Sequence, residues 1–166
     1  LKGGEYSVID AETEEIVDQW TSDGRTHLVK GLVIGKDYIY CEDLTPLGYT
    51  YAKDVKFTMS KNKQTIVMKD TQVDVNKLDV DGNVVPGATL QIVSVKTKNI
   101  VDQWETNRSV HLAEGLIVGQ TYILREIKTP DGFATANEMQ FTVKEDENMS
   151  LSLINKKVIF SKEDAG

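Results

Sequence analysis

The sequence predicts an all-β chain of two β-sandwiches in tandem. Three observations predict it. The chain repeats itself at a spacing of 84 to 85 residues. Its apolar residues alternate in short segments bounded by turn residues. No stretch sustains a helical period.

The repeat is read first, because it sets the frame for every element. Val17-Asp18-Gln19-Trp20 recurs as Val101-Asp102-Gln103-Trp104. At the same spacing His27-Leu28 matches His111-Leu112, Gly31-Leu32 matches Gly115-Leu116, and Tyr38-Ile39 matches Tyr122-Ile123. Glu42 matches Glu126, Thr45-Pro46 matches Thr129-Pro130, and Phe57-Thr58 matches Phe141-Thr142. Residues 17–58 and 101–142 are identical at 18 of 42 positions, where chance gives roughly two or three at ordinary residue frequencies. Past residue 60 the spacing becomes 85, so Asp70 aligns with Asn155. Leu1-Lys2-Gly3-Gly4 aligns with Val85-Pro86-Gly87-Ala88, so the first copy here has no counterpart of 73–84. The segment 158–164 resembles 73–79 and opens a third copy. The expected organisation is a first repeat over 1–71 without its N-terminal lysine strand, a complete repeat over 72–157, and the start of another over 158–166.

Taken in order along the complete copy, strands are expected near 73–79, 89–95, 101–105, 109–113, 120–127, 138–144 and 149–155. Asp81-Gly82-Asn83, Pro86-Gly87 and Pro130-Asp131-Gly132 supply turns between them. The first copy has Asp23-Gly24 and Pro46-Leu47-Gly48 at matching places. About seven short strands in one repeat suit a sandwich. A core of that size supplies limited stability, which makes an added crosslink plausible.

Composition narrows the chemistry. The 166 residues carry 19 basic and 26 acidic side chains, a net charge of −7. That balance argues against nucleic acid or anionic lipid as the main partner. No apolar run approaches the roughly 20 residues of a membrane span. No secretion, sorting or lipidation motif is visible, and any such segment is expected outside this stretch. One cysteine, Cys41, forbids an intrachain disulfide, and two histidines leave little for a transition metal. No metal and no cofactor are expected, so a staple must use other chemistry.

Three polar residues extend stripes that should face the core. Alternate residues of a strand share a face. Val73 and Val75 lead to Lys77, Tyr122 and Leu124 to Glu126, and Leu151 and Leu153 to Asn155. A lysine, a carboxyl and an amide there are costly unless they meet. From alternation alone, a buried ion pair with Asn155 attached, or solvated strand ends with Lys77 snorkelling, remain open readings.

The second copy resembles the collagen-adhesin B-type (Cna B-type) domains, stalk repeats and pilin domains of Gram-positive cell surfaces. The resemblance rests on Lys77-Leu78-Asp79, Gly82, Pro86-Gly87-Ala88, Gly115-Leu116, Gly119, Tyr122-Ile123-Leu124-Arg125-Glu126, Pro130-Asp131-Gly132-Phe133 and Leu151-Ser152-Leu153-Ile154-Asn155. It implies an immunoglobulin-like, prealbumin-like sandwich and a self-generated intramolecular isopeptide bond. Lys77 would be the nucleophile, Asn155 the electrophile and Glu126 the proton-transfer group. Burial favours the neutral forms of amines and carboxyls. The resemblance therefore implies a protonated Glu126 that donates to the Asn155 carbonyl oxygen and relays the proton to departing ammonia. Folding supplies the proximity, worth effective molarities of roughly 10⁵ M or more. The event happens once per domain, so the chain is not expected to be an enzyme in the usual sense.

The first copy keeps Glu42 as the catalytic counterpart and Asp70 as an acceptor that loses water, a substitution the family accepts. Its lysine is absent: Lys2 aligns with Pro86. No native intramolecular bond is expected there, and a vacant sheet edge is. Val158, Phe160 and Lys162 alternate in the tail, so head-to-tail complementation between chains, with Lys162 joined to Asp70, competes with a frayed tail.

Other features have plainer readings. Asp79-Val80-Asp81-Gly82-Asn83 looks partly like a calcium loop but has Leu90 at the twelfth position, so a β-turn is expected. His27 and His111 read as satisfied strand histidines. Trp20 and Trp104 read as packing residues rather than carbohydrate platforms. Cys41 should face away from Tyr40 and Glu42, and nothing makes it a nucleophile. Asn107-Arg108-Ser109 and Asn148-Met149-Ser150 match glycosylation acceptors by chance.

The functional expectation is a pair of spacer repeats from a cell-wall-anchored, extracellular surface adhesin, crosslinked by a Lys–Asn isopeptide bond. Its partners would be neighbouring repeats, and the host or surface ligand is not legible. The rivals are a pilus shaft subunit polymerised by a sortase and a collagen- or glycan-binding module. The tyrosine-proline-lysine motif usual in shaft pilins is absent from these residues.

Overall fold

A computed structural model describes residues 1–166. Every regular element is a strand, and the strands form three four-stranded sheets. The first sheet comes from the first copy: β1 (Lys2–Asp10), β2 (Ile16–Asp23), β3 (Asp37–Leu44) and β4 (Val55–Thr58), in the order β2-β1-β3-β4. The second copy supplies the other two. They use β5 (Val73–Asp79), β6 (Thr89–Ser94), β7 (Ile100–Glu105), β8 (His111–Leu112), β9 (Thr121–Lys128), β10 (Phe133–Ala134), β11 (Met139–Thr142) and β12 (Met149–Lys157). One layer is β11-β9-β6-β7 and the other β10-β12-β5-β8.

The period-two pattern accounts for both layers. In β5, Val73, Val75, Lys77 and Asp79 are buried while the residues between them are half-exposed. In β9, Tyr122, Leu124 and Glu126 are buried in the same rhythm. Thirteen buried apolar residues, among them Val73, Leu90, Ile92, Leu116 and Leu124, fill the space between the layers. The sandwich expectation therefore holds for 73–157, including all seven strands, to which the structure adds the short β10. The turns also match. Gly31 and Gly115 both have positive φ, 81° and 72°. A Cβ at Gly115 would lie 3.2 Å from the Val101 carbonyl oxygen, so both conformation and space require glycine there.

β5 and β12 run parallel, with Val73 opposite Met149, Lys77 opposite Leu153 and Asp79 opposite Asn155. The first and last strands of the repeat are thus neighbours in the centre of one layer.

The first copy differs from the expected vacant edge. No strand forms between residues 59 and 72, and the layer equivalent to β10-β12-β5-β8 is missing as a whole. The physical reason lies in the order of that layer. β5 is an interior strand that bonds both β12 and β8, so without a counterpart β8 has no partner and β12 keeps only the two-residue pairing with β10.

The two copies meet through backbone. The Tyr51 N–H donates to the Leu116 carbonyl at 2.7 Å, and the Val118 N–H donates to the Tyr51 carbonyl at 2.9 Å. Within the second copy, the Met149 N–H donates to the Gln72 carbonyl at 2.9 Å, just before β5 begins. Ion pairs Lys53–Glu145 at 3.0 Å and Lys69–Asp146 at 3.8 Å flank the joint, both exposed and worth little individually.

Candidate crosslinking site

Lys77, Glu126 and Asn155 come from three strands in two layers, and the structure brings all three together. β5 and β12 place Lys77 and Asn155 on adjacent strands of one layer, two residues apart in register, and β9 brings Glu126 from the facing layer. All three are buried, and Asn155 is wholly inaccessible. The Lys77 Nζ lies 3.8 Å from Glu126 Oε1, and the two side chains are 1% and 0% exposed. The Lys77 Nζ also donates to the Leu153 carbonyl at 3.2 Å. The Asn155 Nδ2 donates to Glu126 Oε2 at 2.8 Å and to the Ala134 carbonyl at 2.7 Å. The Ala136 N–H donates to the same Oε2 at 2.7 Å.

Two buried oxygens, Glu126 Oε1 and Asn155 Oδ1, have no hydrogen-bond partner. Each such deficit costs on the order of 1–3 kcal/mol. Burial pushes the Lys77 amine's pKa down, opposed by the charge of Glu126. The neutral, nucleophilic amine is favoured accordingly. One detail departs from the expected arrangement. The Asn155 amide nitrogen, not its carbonyl oxygen, faces Glu126. The Ala134 carbonyl accepts from the same nitrogen, which fixes the amide in that orientation.

The first copy repeats half of this geometry. The Ala52 N–H donates to Glu42 Oε2 at 2.8 Å, as Ala136 does to Glu126. Glu42 Oε1 is buried without a partner. Burial raises the pKa of both Glu42 and Asp70, and for Glu42 the nearby Asp70 carboxyl adds to the rise. Burial also pushes the Tyr6 phenol well up, helped by Asp70 and Glu42. Lys162 lies in the exposed tail after β12.

Alternation missed the backbone carbonyls of Leu153 and Ala134, because register, not residue type, puts them in the site. It also missed the partners of the histidines. The His111 ring stacks on Trp104 with centroids 3.8 Å apart, and its Nε2 lies 2.8 Å from Asp102 Oδ2. His27 repeats this on Trp20 at 4.1 Å and Asp18 at 3.0 Å. Each aspartate also accepts a backbone N–H, from Glu114 at 3.0 Å and Lys30 at 3.3 Å. The repeated Val-Asp-Gln-Trp segment held that clue, with Asp and His nine residues apart in both copies.

The partial calcium loop is a turn held by Asp79. Its Oδ1 accepts from the N–H groups of Asp81 and Asn83, both at 2.9 Å, and Lys157 lies 3.0 Å from its Oδ2. Those bonds hold the Asp79 carboxyl at about 2, the Asn83 N–H contributing most. Cys41 is half-buried and free, and burial pushes its thiol up to about 11.

A family model described as the SpaA prealbumin-like fold domain matches residues 71–157. Among solved structures the chain is similar to the shaft pilin SpaA of Lactobacillus rhamnosus GG. Identity there is 13% over 98% of this chain and 90% of that one, with a TM-score of 0.42. A C-terminal fragment of the pilus adhesin SpaC of the same organism gives 10% identity, 97% and 91% coverage, and a TM-score of 0.46. The Bacillus anthracis TIE protein gives 22% identity, 95% and 31% coverage, and a TM-score of 0.44. No curated protein matches the chain.

Proposed function

Because the chain belongs to the SpaA prealbumin-like fold domain family, we propose that it forms self-crosslinked spacer repeats of a Gram-positive surface protein, anchored to the cell wall outside the cell. The repeats are assigned to residues 1–71 and 72–157, with 158–166 opening another. The observation that carries this reading is the burial of Lys77, Glu126 and Asn155, with the lysine and the asparagine each against the Glu126 carboxyl. An amine, a carboxyl and an amide sealed from water serve an ordinary sandwich poorly, since well-packed apolar residues stabilise as much or more.

The geometry suits amide exchange. Glu126 presents Oε1 to the lysine nitrogen and Oε2 to the asparagine nitrogen, so one carboxyl touches both nucleophile and leaving group. The neutral Lys77 amine attacks Asn155 Cγ, and Glu126 takes one of the two protons of the attacking nitrogen. Glu126 passes that proton to Nδ2, and the Cγ–Nδ2 bond breaks as ammonia leaves. The products are a Lys77–Asn155 secondary amide and ammonia, with one Nζ–Cγ bond formed for one C–N bond broken. Water is excluded, so hydrolysis does not compete.

A pilus shaft subunit is a second reading, favoured by the family match. The same bond serves it, because shaft and stalk both carry tension along the chain. Intact mass under denaturing conditions tests the chemistry. The expected result is a deficit of about 17 Da, one ammonia, lost in Lys77→Ala and in Glu126→Ala. A mass equal to the plain sequence overturns the crosslink.

A further inference from the structure

We infer that the backbone N–H of Ala136 is a positioning group for the crosslink: it ties Glu126 Oε2 to the loop after β9 and leaves Oε1 as the oxygen that meets the Lys77 amine. The inference rests on the amide exchange proposed above.

The two oxygens of the Glu126 carboxyl are chemically alike, yet their surroundings differ. Oε2 accepts from the Ala136 N–H at 2.7 Å and from Asn155 Nδ2 at 2.8 Å. Oε1 is buried, has no hydrogen-bond partner, and lies 3.8 Å from Lys77 Nζ. An unrestrained carboxyl turns about its last torsion and exchanges its oxygens. Of the two donors that hold Oε2, the asparagine nitrogen is the group that departs. The Ala136 N–H stays through the whole reaction, so it is the fixed restraint.

The loop that carries this N–H is anchored to both layers. It leaves the end of β9, the strand of Glu126, and pairs with β12, the strand of Asn155, through Phe133 opposite Lys157 and Ala134 opposite Lys156. The Phe133 N–H donates to the Pro130 carbonyl at 3.3 Å, and the Thr129 and Thr135 hydroxyls close the neck at 2.7 Å. The same loop presents the Ala134 carbonyl to Asn155 Nδ2 at 2.7 Å. One segment thus holds the carboxyl by a donor and the amide by an acceptor. Both are backbone groups with no rotamers to sample, so the alignment is built before the chemistry begins.

The first copy repeats the contact. The Ala52 N–H donates to Glu42 Oε2 at 2.8 Å, again across ten residues, and Glu42 Oε1 is again buried without a partner. Asp70 stands there in the place of Asn155. The loop therefore orients the carboxyl whether the acceptor is an amide or an acid.

The test times the loss of about 17 Da in the chain 1–166, made by cell-free synthesis, quenched in denaturant at intervals and read by intact mass. Ala136→Pro removes the N–H. Lactic acid in place of Ala136 removes it too, exchanging the N–H for an ester oxygen while keeping the methyl group. Ala136→Gly removes the methyl group and keeps the N–H. Crosslinking is expected to be about tenfold or more slower in the proline and ester chains, and to proceed at the native rate in Ala136→Gly. Each change is also made in Lys77→Ala, where no crosslink forms, and cooperative melting there shows that the sandwich still folds. If the proline chain does not melt cooperatively, the ester chain decides. A native rate in the ester chain overturns the inference. Equal slowing in all three chains overturns it as well, because the loop then acts by packing alone. A native chain without the loss of about 17 Da overturns the crosslink and this inference with it. A native chain that shows the loss, beside an ester chain equally fast, leaves the crosslinked spacer standing and only this inference fallen.

Discussion

Glu126 divides its two carboxylate oxygens between a lysine and an asparagine, and that division is what a substitution should separate. Glu126→Gln keeps an oxygen to accept the Ala136 N–H but cannot carry a proton. It should fold, retain its sheet signature by circular dichroism, and lose the mass deficit of about 17 Da. Asp79 makes a second prediction. Its carboxyl lies at about 2 against an ordinary value of 3.8, so the folded state binds its proton later than the unfolded chain does. A group depressed in this way stabilises the fold above the unfolded value, and the benefit disappears as pH falls through the folded one. The melting temperature of the native chain should exceed that of Asp79→Asn by a constant margin above pH 5. The gap should close between about pH 4 and pH 2. Both residues were partly legible in the sequence. A polar side chain in phase with an apolar stripe announces itself, and that exposed Lys77, Glu126 and Asn155 together. The Asp79 contacts were not legible, because backbone N–H groups and Lys157 reach it through a turn geometry that residue type does not encode.

At the scale of elements, the Asp–His–Trp clamp ties the segment after β7 back onto that strand. The Asp102 Oδ2 holds both the His111 ring and the Glu114 N–H, and the ring covers Trp104. Asp102→Ala should speed hydrogen exchange at the Glu114 amide and cost about 1–2 kcal/mol in chemical denaturation. Unchanged exchange at that amide would show that the clamp is ornamental. The same clamp on His27 persists in the first copy, where a whole layer is missing. Local chemistry of this kind survives because its partners lie nine residues apart. The missing layer shows the opposite case. Alignment of the two copies shows which strand the first one lacks, yet predicts only an open edge. Strand order is a long-range property, and only the structure shows that the strand is central, with two neighbours depending on it.

At the scale of the molecule, the parallel pairing of β5 and β12 decides how tension travels. Pulling on residue 73 and on residue 157 draws the two strands past each other, so their ladder is loaded in shear rather than peeled bond by bond. A bond from Lys77 to Asn155 makes that arrangement permanent and closes a loop of 79 residues. The loop-entropy treatment gives about 4–5 kcal/mol for such a closure. In Lys77→Ala that stabilisation is absent, and a repeat of this size should melt on the order of 20 °C lower. Force–extension measurement gives the sharper outcome. With the bond in place, the 78 peptide steps between Lys77 and Asn155 stay out of the stretched length, whatever happens to the sheets. In Lys77→Ala they enter it, and at about 3.6 Å per residue the added contour length is roughly 280 Å. Equal contour lengths for the native chain and Lys77→Ala would mean that tension never passes through this lysine, and a stalk built on it would need another means of holding its length.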